Sequence, residues 1–287
     1  MVTIVGFIVV VGCVLGGFTW AGGHIGHLIH PSEILTIGGA ALGAAIVMSP
    51  MKVLVDLVKG VLACFKGNPF GKPMYEDLFK LMYELFNVAR RNGLLALETH
   101  LSNPHESAVF HKYPRIANNH HVSEFIVGAL TPIMDGSAKP EDLGPLLASE
   151  IKAMEDEHHA PISVLSKTAD GLPGFGIVAA VLGIVITMAH IDGPVEEIGH
   201  SVGAALVGTF LGILMSYGFV APLVTKMEFN GITESNFFRT IAAIVQGYVA
   251  GLPPKAALEQ ARRGLVSEVR PTREQLEEWF KAVDSGG

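Results

Sequence analysis

Twelve histidines stand out among the reactive side chains of this 287-residue chain. His24, His27 and His30 are spaced by three, and His120-His121 and His158-His159 form doublets. Imidazoles at that spacing on a helix could hold zinc. Gly22, Gly23 and Gly26 interrupt the first group, so these side chains read as surface or interfacial histidines, and no metal site is expected. Cys13 and Cys64 lie in apolar surroundings, where a thiol packs as a small hydrophobe. There is no Gly-rich loop closed by a Lys and no nucleophile elbow, which argues against an ATP-driven pump or a hydrolase. The chain is expected to be no enzyme and to require no cofactor. Two hydroxyls, Thr187 and Thr209, sit in otherwise apolar stretches. They could line an ion path or bond to their own helix backbone.

The elements around these residues point to a bilayer. Hydrophobic residues make up 49% of the chain, charged residues only 16%, and mean hydropathy is +0.43. A hydrocarbon core of about 30 Å needs roughly 20 helical residues to cross it. Val2 to Trp20, Ile34 to Met51 with an apolar continuation toward Phe65, Leu172 to Ile191, and Ser201 to Thr225 satisfy that length. None of these spans contains an internal Lys, Arg, Asp or Glu. Met1 leads directly into apolar residues with no preceding basic charge, so the first segment reads as a retained helix. The net charge of -7 argues against nucleic-acid binding, because no basic surface dominates.

Of the 20 Lys and Arg, 12 fall between Lys52 and Lys167 and 8 between Lys226 and Lys281, which is all of them. The loops Ala21 to Glu33 and Asp192 to His200 have none and are assigned to the periplasm. Both termini are then cytoplasmic, in a multi-pass protein of the bacterial inner membrane.

Between spans two and three, Leu78, Leu81, Met82, Leu85 and Ala89 recur at helical spacing, predicting an amphipathic helix from about Met74 to Arg91. Asn103-Pro104 with Glu106 predicts a capped helix start, Pro114 a helix end, and Glu141 to His158 another helix. In the tail, helices are expected over Asn236 to Gly251, Pro254 to Leu265 and Thr272 to Val283. The fold class is all-α, a polytopic membrane protein with four transmembrane helices and a helical cytoplasmic domain between spans two and three. The expected blocks are 1–65 (spans one and two with a cytoplasmic extension), 66–170 (cytoplasmic domain), 171–225 (spans three and four) and 226–287 (cytoplasmic tail).

Glycines four apart, at Gly12/Gly16, Gly39/Gly43, Gly199/Gly203 and Gly208/Gly212, suit close packing of helices in lipid. Pro173 is expected at the start of span three, where proline costs no hydrogen bond. Pro222 interrupts the cytoplasmic end of span four, either as a hinge or as the helix end. Ion movement through a bilayer normally uses an ionisable side chain. With none inside the spans, a conducting role would need a carboxylate from a partner chain.

The order of two spans, a large insert, two spans and a tail resembles the MotA family of flagellar stator subunits (MotA/PomA, within the MotA/TolQ/ExbB proton-channel superfamily). Similar to that family are Gly16-Gly17, Met74-Tyr75-Glu76-Asp77-Leu78, Leu97-Glu98, Asn103-Pro104-His105-Glu106-Ser107 and Tyr113-Pro114-Arg115. In the third and fourth spans the resemblance covers Leu172-Pro173-Gly174-Phe175-Gly176-Ile177-Val178-Ala179-Ala180, Val207-Gly208-Thr209-Phe210-Leu211-Gly212-Ile213-Leu214, Tyr217-Gly218-Phe219 and Pro222-Leu223. It implies a homopentamer around two copies of a MotB-like single-span, peptidoglycan-anchored partner whose aspartate binds the permeating proton. It also implies that Arg90 and Glu98 contact a FliG-like rotor protein, that Pro173 and Pro222 couple ion passage to the cytoplasmic region, and that Thr209 and Ala180 line the ion path. Sodium-driven relatives carry threonine where this chain has Ala180, so H+ is expected rather than Na+. Two alternatives are an ExbB/TolQ-like transducer, which would have three spans, and a non-conducting membrane scaffold.

Overall fold

The computed structural model describes residues 2–189 and 191–285, among which every regular element is helical. Met1, His190 of the expected third span, and residues 286–287 of the tail lie outside the described residues. Four helices are long and apolar enough to cross a membrane.

The chain forms two compact units. The first comprises Met1–Gly67 and Glu157–Asn230. Helix α1 (Val2–Trp20) has no buried residue within the chain. A short 3-10 turn (Ile25–Leu28) leads to α2 (Pro31–Met48). The apolar run does not continue straight on from there. Pro50 lacks the N–H that would continue the ladder, α2 stops at Met48, and a separate amphipathic helix α3 (Met51–Lys66) follows. Gly60 of α3 lets Met227 pack closely, with its Cε 2.5 Å from where a Cβ would stand. Cys64 is buried there, and its thiol donates to the Gly60 carbonyl.

The second unit comprises Asn68–Asp156 and Gly231–Gly287, so most of the tail shares a core with the insert. The predicted amphipathic helix is α4 (Lys72–Asn92), whose Leu78, Leu81, Met82 and Leu85 are fully buried. Around it pack α5 (Glu98–Leu101), α6 (Ala108–His111), α7 (Pro114–Ala117) and α8 (His120–Met134). The start expected at Asn103 is displaced. Ser107 is the actual cap of α6, accepting bonds from the Val109 and Phe110 N–H groups and meeting His100 Nδ1 at 2.9 Å. Pro114 opens α7 instead of merely ending a helix, because its fixed φ suits a first helical position.

Two stretches that resemble family motifs prove to hold each other. Arg115 reaches Asp77 at 3.0 Å, and Tyr113 donates to Glu84, which also pairs with Lys112.

Helix α9 runs unbroken over Pro140–Ala189. Pro173 is therefore inside a helix and not at its start. After α10 (Val195–Ile213) the backbone widens into a π-helical stretch, Leu214–Val220, and continues as α11 (Ala221–Val249). Pro222 does not end the span, and the separate helix expected from Asn236 is the far end of α11. In the second unit α11 contributes Phe237, Phe238 and Tyr248, the last stacked on Phe86 at 3.9 Å.

Helices α12 (Pro254–Gly264) and α13 (Arg273–Ser285) close that core. Tyr83 donates to Asp284, and Lys255 sits 5.5 Å from the Tyr83 ring centre. On α12, hydrogen bonds from Arg262, then from Arg263, pull the Glu259 carboxyl down to about 2 from 4.5. A depressed carboxyl contributes stability that is complete above its unfolded value and lost as pH falls toward the folded value. Glu259→Gln is therefore expected to lower the melting temperature at neutral pH, with the difference from the parent vanishing between pH 4.5 and about 2. Thermal melts across that range read it.

Candidate functional site

The expected ion-path residues meet where α9 crosses α10. On α9 the contact face is Gly176, Ala179, Ala180 and Gly183; on α10 it is Ala205, Gly208, Thr209 and Gly212. In lipid there is no hydrophobic drive to join two apolar helices, so close backbone approach must supply the attraction, and only small residues permit it. A Cβ on Gly212 would lie 2.7 Å from the Leu172 carbonyl oxygen and 2.8 Å from Gly176 Cα. One on Gly176 would lie 2.9 Å from the Gly208 carbonyl oxygen and 3.3 Å from Thr209 Cα. Thus Gly208/Gly212 is a packing pair, with Gly212 set against Leu172 and Gly176 and Gly208 against Ala179 and Ala180. The other glycine pairs meet nothing within 4 Å in this chain.

Thr209 faces out from this crossing. Together with Leu206, Phe210, Ile213 and Leu214 it lines an open groove of about 480 Å³. Thr187 is buried and donates to the Gly183 carbonyl at 2.8 Å, so its hydroxyl serves its own helix.

The two prolines are linked through a residue that sequence reasoning passed over. Pro173 has no N–H, so the carbonyl four residues earlier, that of Ala169, loses its helical donor. Ser216 fills the vacancy: its buried hydroxyl donates to the Ala169 oxygen at 2.7 Å. Ser216 lies in the π-helical stretch that precedes Pro222. There the Ala221 N–H bonds five residues back, to the Ser216 carbonyl. Such wide turns absorb the donor that a following proline lacks, and they mark places where a helix can change register. A serine one turn and a half before Pro222 gave no signal in sequence, because the carbonyl it serves is 47 residues away.

A carboxyl does enter the apolar bundle, contrary to the expectation drawn from the spans. Glu33, placed by sequence in the connecting loop, belongs to the first turn of α2 and is only 8% exposed. Its Oε2 has no hydrogen-bond partner. The helix begins three residues earlier than the apolar run because Pro31 takes its first position.

The histidines do not converge. His24 and His27 meet edge-on at 5.9 Å, whereas His30 turns to His200 at 5.8 Å. Among the described residues no group of three or more His, Cys, Asp or Glu could hold a metal.

Arg90 and Glu98 belong to the second unit, and both are exposed. Arg90 is in the last turn of α4; Glu98 opens α5. Between them Gly93 takes φ 87°, a left-handed conformation that a side chain would resist, and Leu97 plugs into the core. The turn thereby presents both charges to solvent.

Profiles of two families match the chain. Motility protein A N-terminal matches residues 4–93, and the MotA/TolQ/ExbB proton channel family matches residues 117–233. Motility protein A of Salmonella typhimurium is 38% identical over 283 residues, 99% of this chain and 96% of that protein. The chain belongs to the motility protein A family. Motility protein A of Escherichia coli is 36% identical over the same shares, and chemotaxis protein LafT of Vibrio parahaemolyticus is 38% identical over 96% of both chains. Among solved structures, the flagellar MotAB stator complex from Bacillus subtilis is similar, with a TM-score of 0.75 and 25% identity over 96% of this chain and 98% of that one. The C. jejuni MotAB structure gives a TM-score of 0.78 at 24% identity over 94% and 98%, which shows the shared fold.

Proposed function

We propose that the chain is the MotA-type subunit of a flagellar motor stator, which together with a MotB-like partner conducts protons across the inner membrane and turns that flow into torque. The observation that carries this reading is kinship over nearly the whole chain to motility proteins, joined to four membrane-length helices. An ExbB/TolQ-like transducer would be expected to have three spans, which four disfavour.

Five copies would surround two copies of the partner, with the Thr209 face of α10 and Ala180 lining the path. Helix α1, which has no buried residue, and the open glycine faces supply surface for neighbouring copies and lipid. The confinement of Lys and Arg to two regions supports cytoplasmic termini. Ala180 brings no side-chain oxygen to the crossing, which favours the proton over a dehydrated sodium ion. Swimming speed is therefore expected to follow the proton motive force and to ignore external sodium. Speed that rises with sodium at constant proton motive force would overturn the assignment.

Arg90 and Glu98 would touch a FliG-like rotor protein. Exposed charge pairs are worth about 0 to 1 kcal/mol each, weak enough to break at every step while still steering the encounter. Reversing either charge is expected to slow swimming, and reversing both to slow it further, with membrane levels of the complex unchanged. Normal swimming of the double variant removes the role. Pro173 and Pro222 would couple the path to the cytoplasmic region through α9 and α11, which leave the span without a break.

A further inference from the structure

We infer that Glu33 is a proton-binding station on the ion path supplied by this chain itself, seated in the notch that Gly208 leaves at the crossing of α9 and α10. The inference rests on the stator reading above.

The geometry is specific. Were Gly208 to carry a Cβ, that atom would stand 2.8 Å from Glu33 Oε2, 3.2 Å from Ala179 Cβ and 3.3 Å from the Ala180 nitrogen. The carboxyl oxygen therefore occupies the space of a missing side chain on α10, at the glycine whose own near neighbours on α9 are Ala179 and Ala180 and next in sequence to Thr209. It does not cap its own helix: the cap position is His30, which makes no side-chain capping bond. Oε2 is enclosed and has no donor of any kind. A carboxylate oxygen enclosed without a donor disfavours the charged form, and taking a proton relieves that cost. The site is thus built to alternate between the two forms and not to hold a fixed charge.

The groups around it give that alternation a direction. His30 lies one turn before Glu33, edge-on to His200 of α10, so two imidazoles stand on the side where α2 and α10 begin. The first turn of α10 adds Glu196 and Glu197. The α9 stretch from Gly171 to Ala189 contributes no Asp, Glu, Lys, Arg or His, and the charges of α3 (Lys52, Asp56, Lys59, Lys66) follow the other end of α2. In the loading step hydronium gives its proton to the Glu33 carboxylate and leaves as water. In the release step Glu33 gives that proton to a water or to a carboxylate of the single-span partner and returns to its starting charge.

The test uses the complex of this chain with its single-span partner, reconstituted in vesicles with an internal pH-sensitive dye under an imposed proton gradient. Glu33→Gln is expected to lower proton flux roughly tenfold or more and to flatten its dependence on external pH, while Glu33→Asp restores both. An assembled Glu33→Gln complex with the parent's flux and pH profile would reduce Glu33 to a packing residue and leave the stator reading standing. A parent complex that passes no protons would sink the stator reading and this proposal together. Should Glu33→Gln fail to assemble, the parent complex with 13C-labelled glutamate decides. A carboxylic acid band that titrates with external pH and moves in Glu33→Asp supports the site, and its absence in the parent across the pH range overturns it.

Discussion

Gly212→Ala is expected to abolish swimming and to destabilise the purified complex, although alanine is the better helix former by about 1 kcal/mol. The reason is that the added methyl has nowhere to go. It would meet the Leu172 carbonyl oxygen at 2.7 Å and Gly176 Cα at 2.8 Å, and backbone atoms cannot swing aside as a side-chain tip can. The two helices would have to separate, which costs about 1 to 3 kcal/mol in a packed interior and opens the crossing that holds Ala180 and Glu33. Gly128→Ala on α8 serves as the opposite case: that glycine is exposed with nothing within 4 Å, so the same change should be neutral or slightly stabilising. Melting temperature and swimming speed, measured for both variants, read the contrast. Parental swimming by Gly212→Ala would mean that α9 and α10 are not so close in the working protein.

Ser216→Ala should leave the buried Ala169 carbonyl without a donor, at a cost of about 1 to 3 kcal/mol. Its effect is expected chiefly in torque at high load, because the lost bond joins α9 at Pro173 to the π-helical stretch before Pro222. A second substitution makes the argument sharper. Pro173→Ala returns an N–H to the Ala169 carbonyl, so in that background Ser216→Ala should be nearly silent in stability, a non-additivity of at least about 0.5 kcal/mol. Ser216→Thr keeps a hydroxyl and is expected to retain most of the stall torque. Additive losses in the double variant, or parental stall torque in Ser216→Ala alone, would dissolve the link between the prolines.

Part of the molecule was legible along the chain because the signals are local. Four apolar runs announce membrane helices through length alone, and the spacing of Leu78, Leu81, Met82 and Leu85 announces the buried face of α4. The family motifs were legible too, but as words without meanings. Only with Arg115 lying on Asp77 does it become clear that two of them pair with each other in the second unit.

Prolines misled for a physical reason. Their cost in a helix is a carbonyl without a donor, and sequence cannot tell whether a distant hydroxyl or a widened turn will supply one. Here a distant hydroxyl serves the carbonyl at Pro173, a π-helical stretch precedes Pro222, and α9 and the span from Val195 to Val249 run through both prolines. Glu33 misled similarly. One residue outside an apolar run, a glutamate reads as the end of a loop, and nothing in its neighbours reveals that Gly208, 175 positions later, has left it a space.

Sequence by itself determined that this chain lives in a bilayer as four helices, that its helical insert has one apolar face, and which family it resembles, because composition and periodicity are properties of single segments. Only the tertiary structure decided which glycines meet, whose hydroxyl repairs the break at Pro173, and where the carboxyl of Glu33 rests. Those are contacts between segments dozens of residues apart, and their energy exists only once the helices have come together.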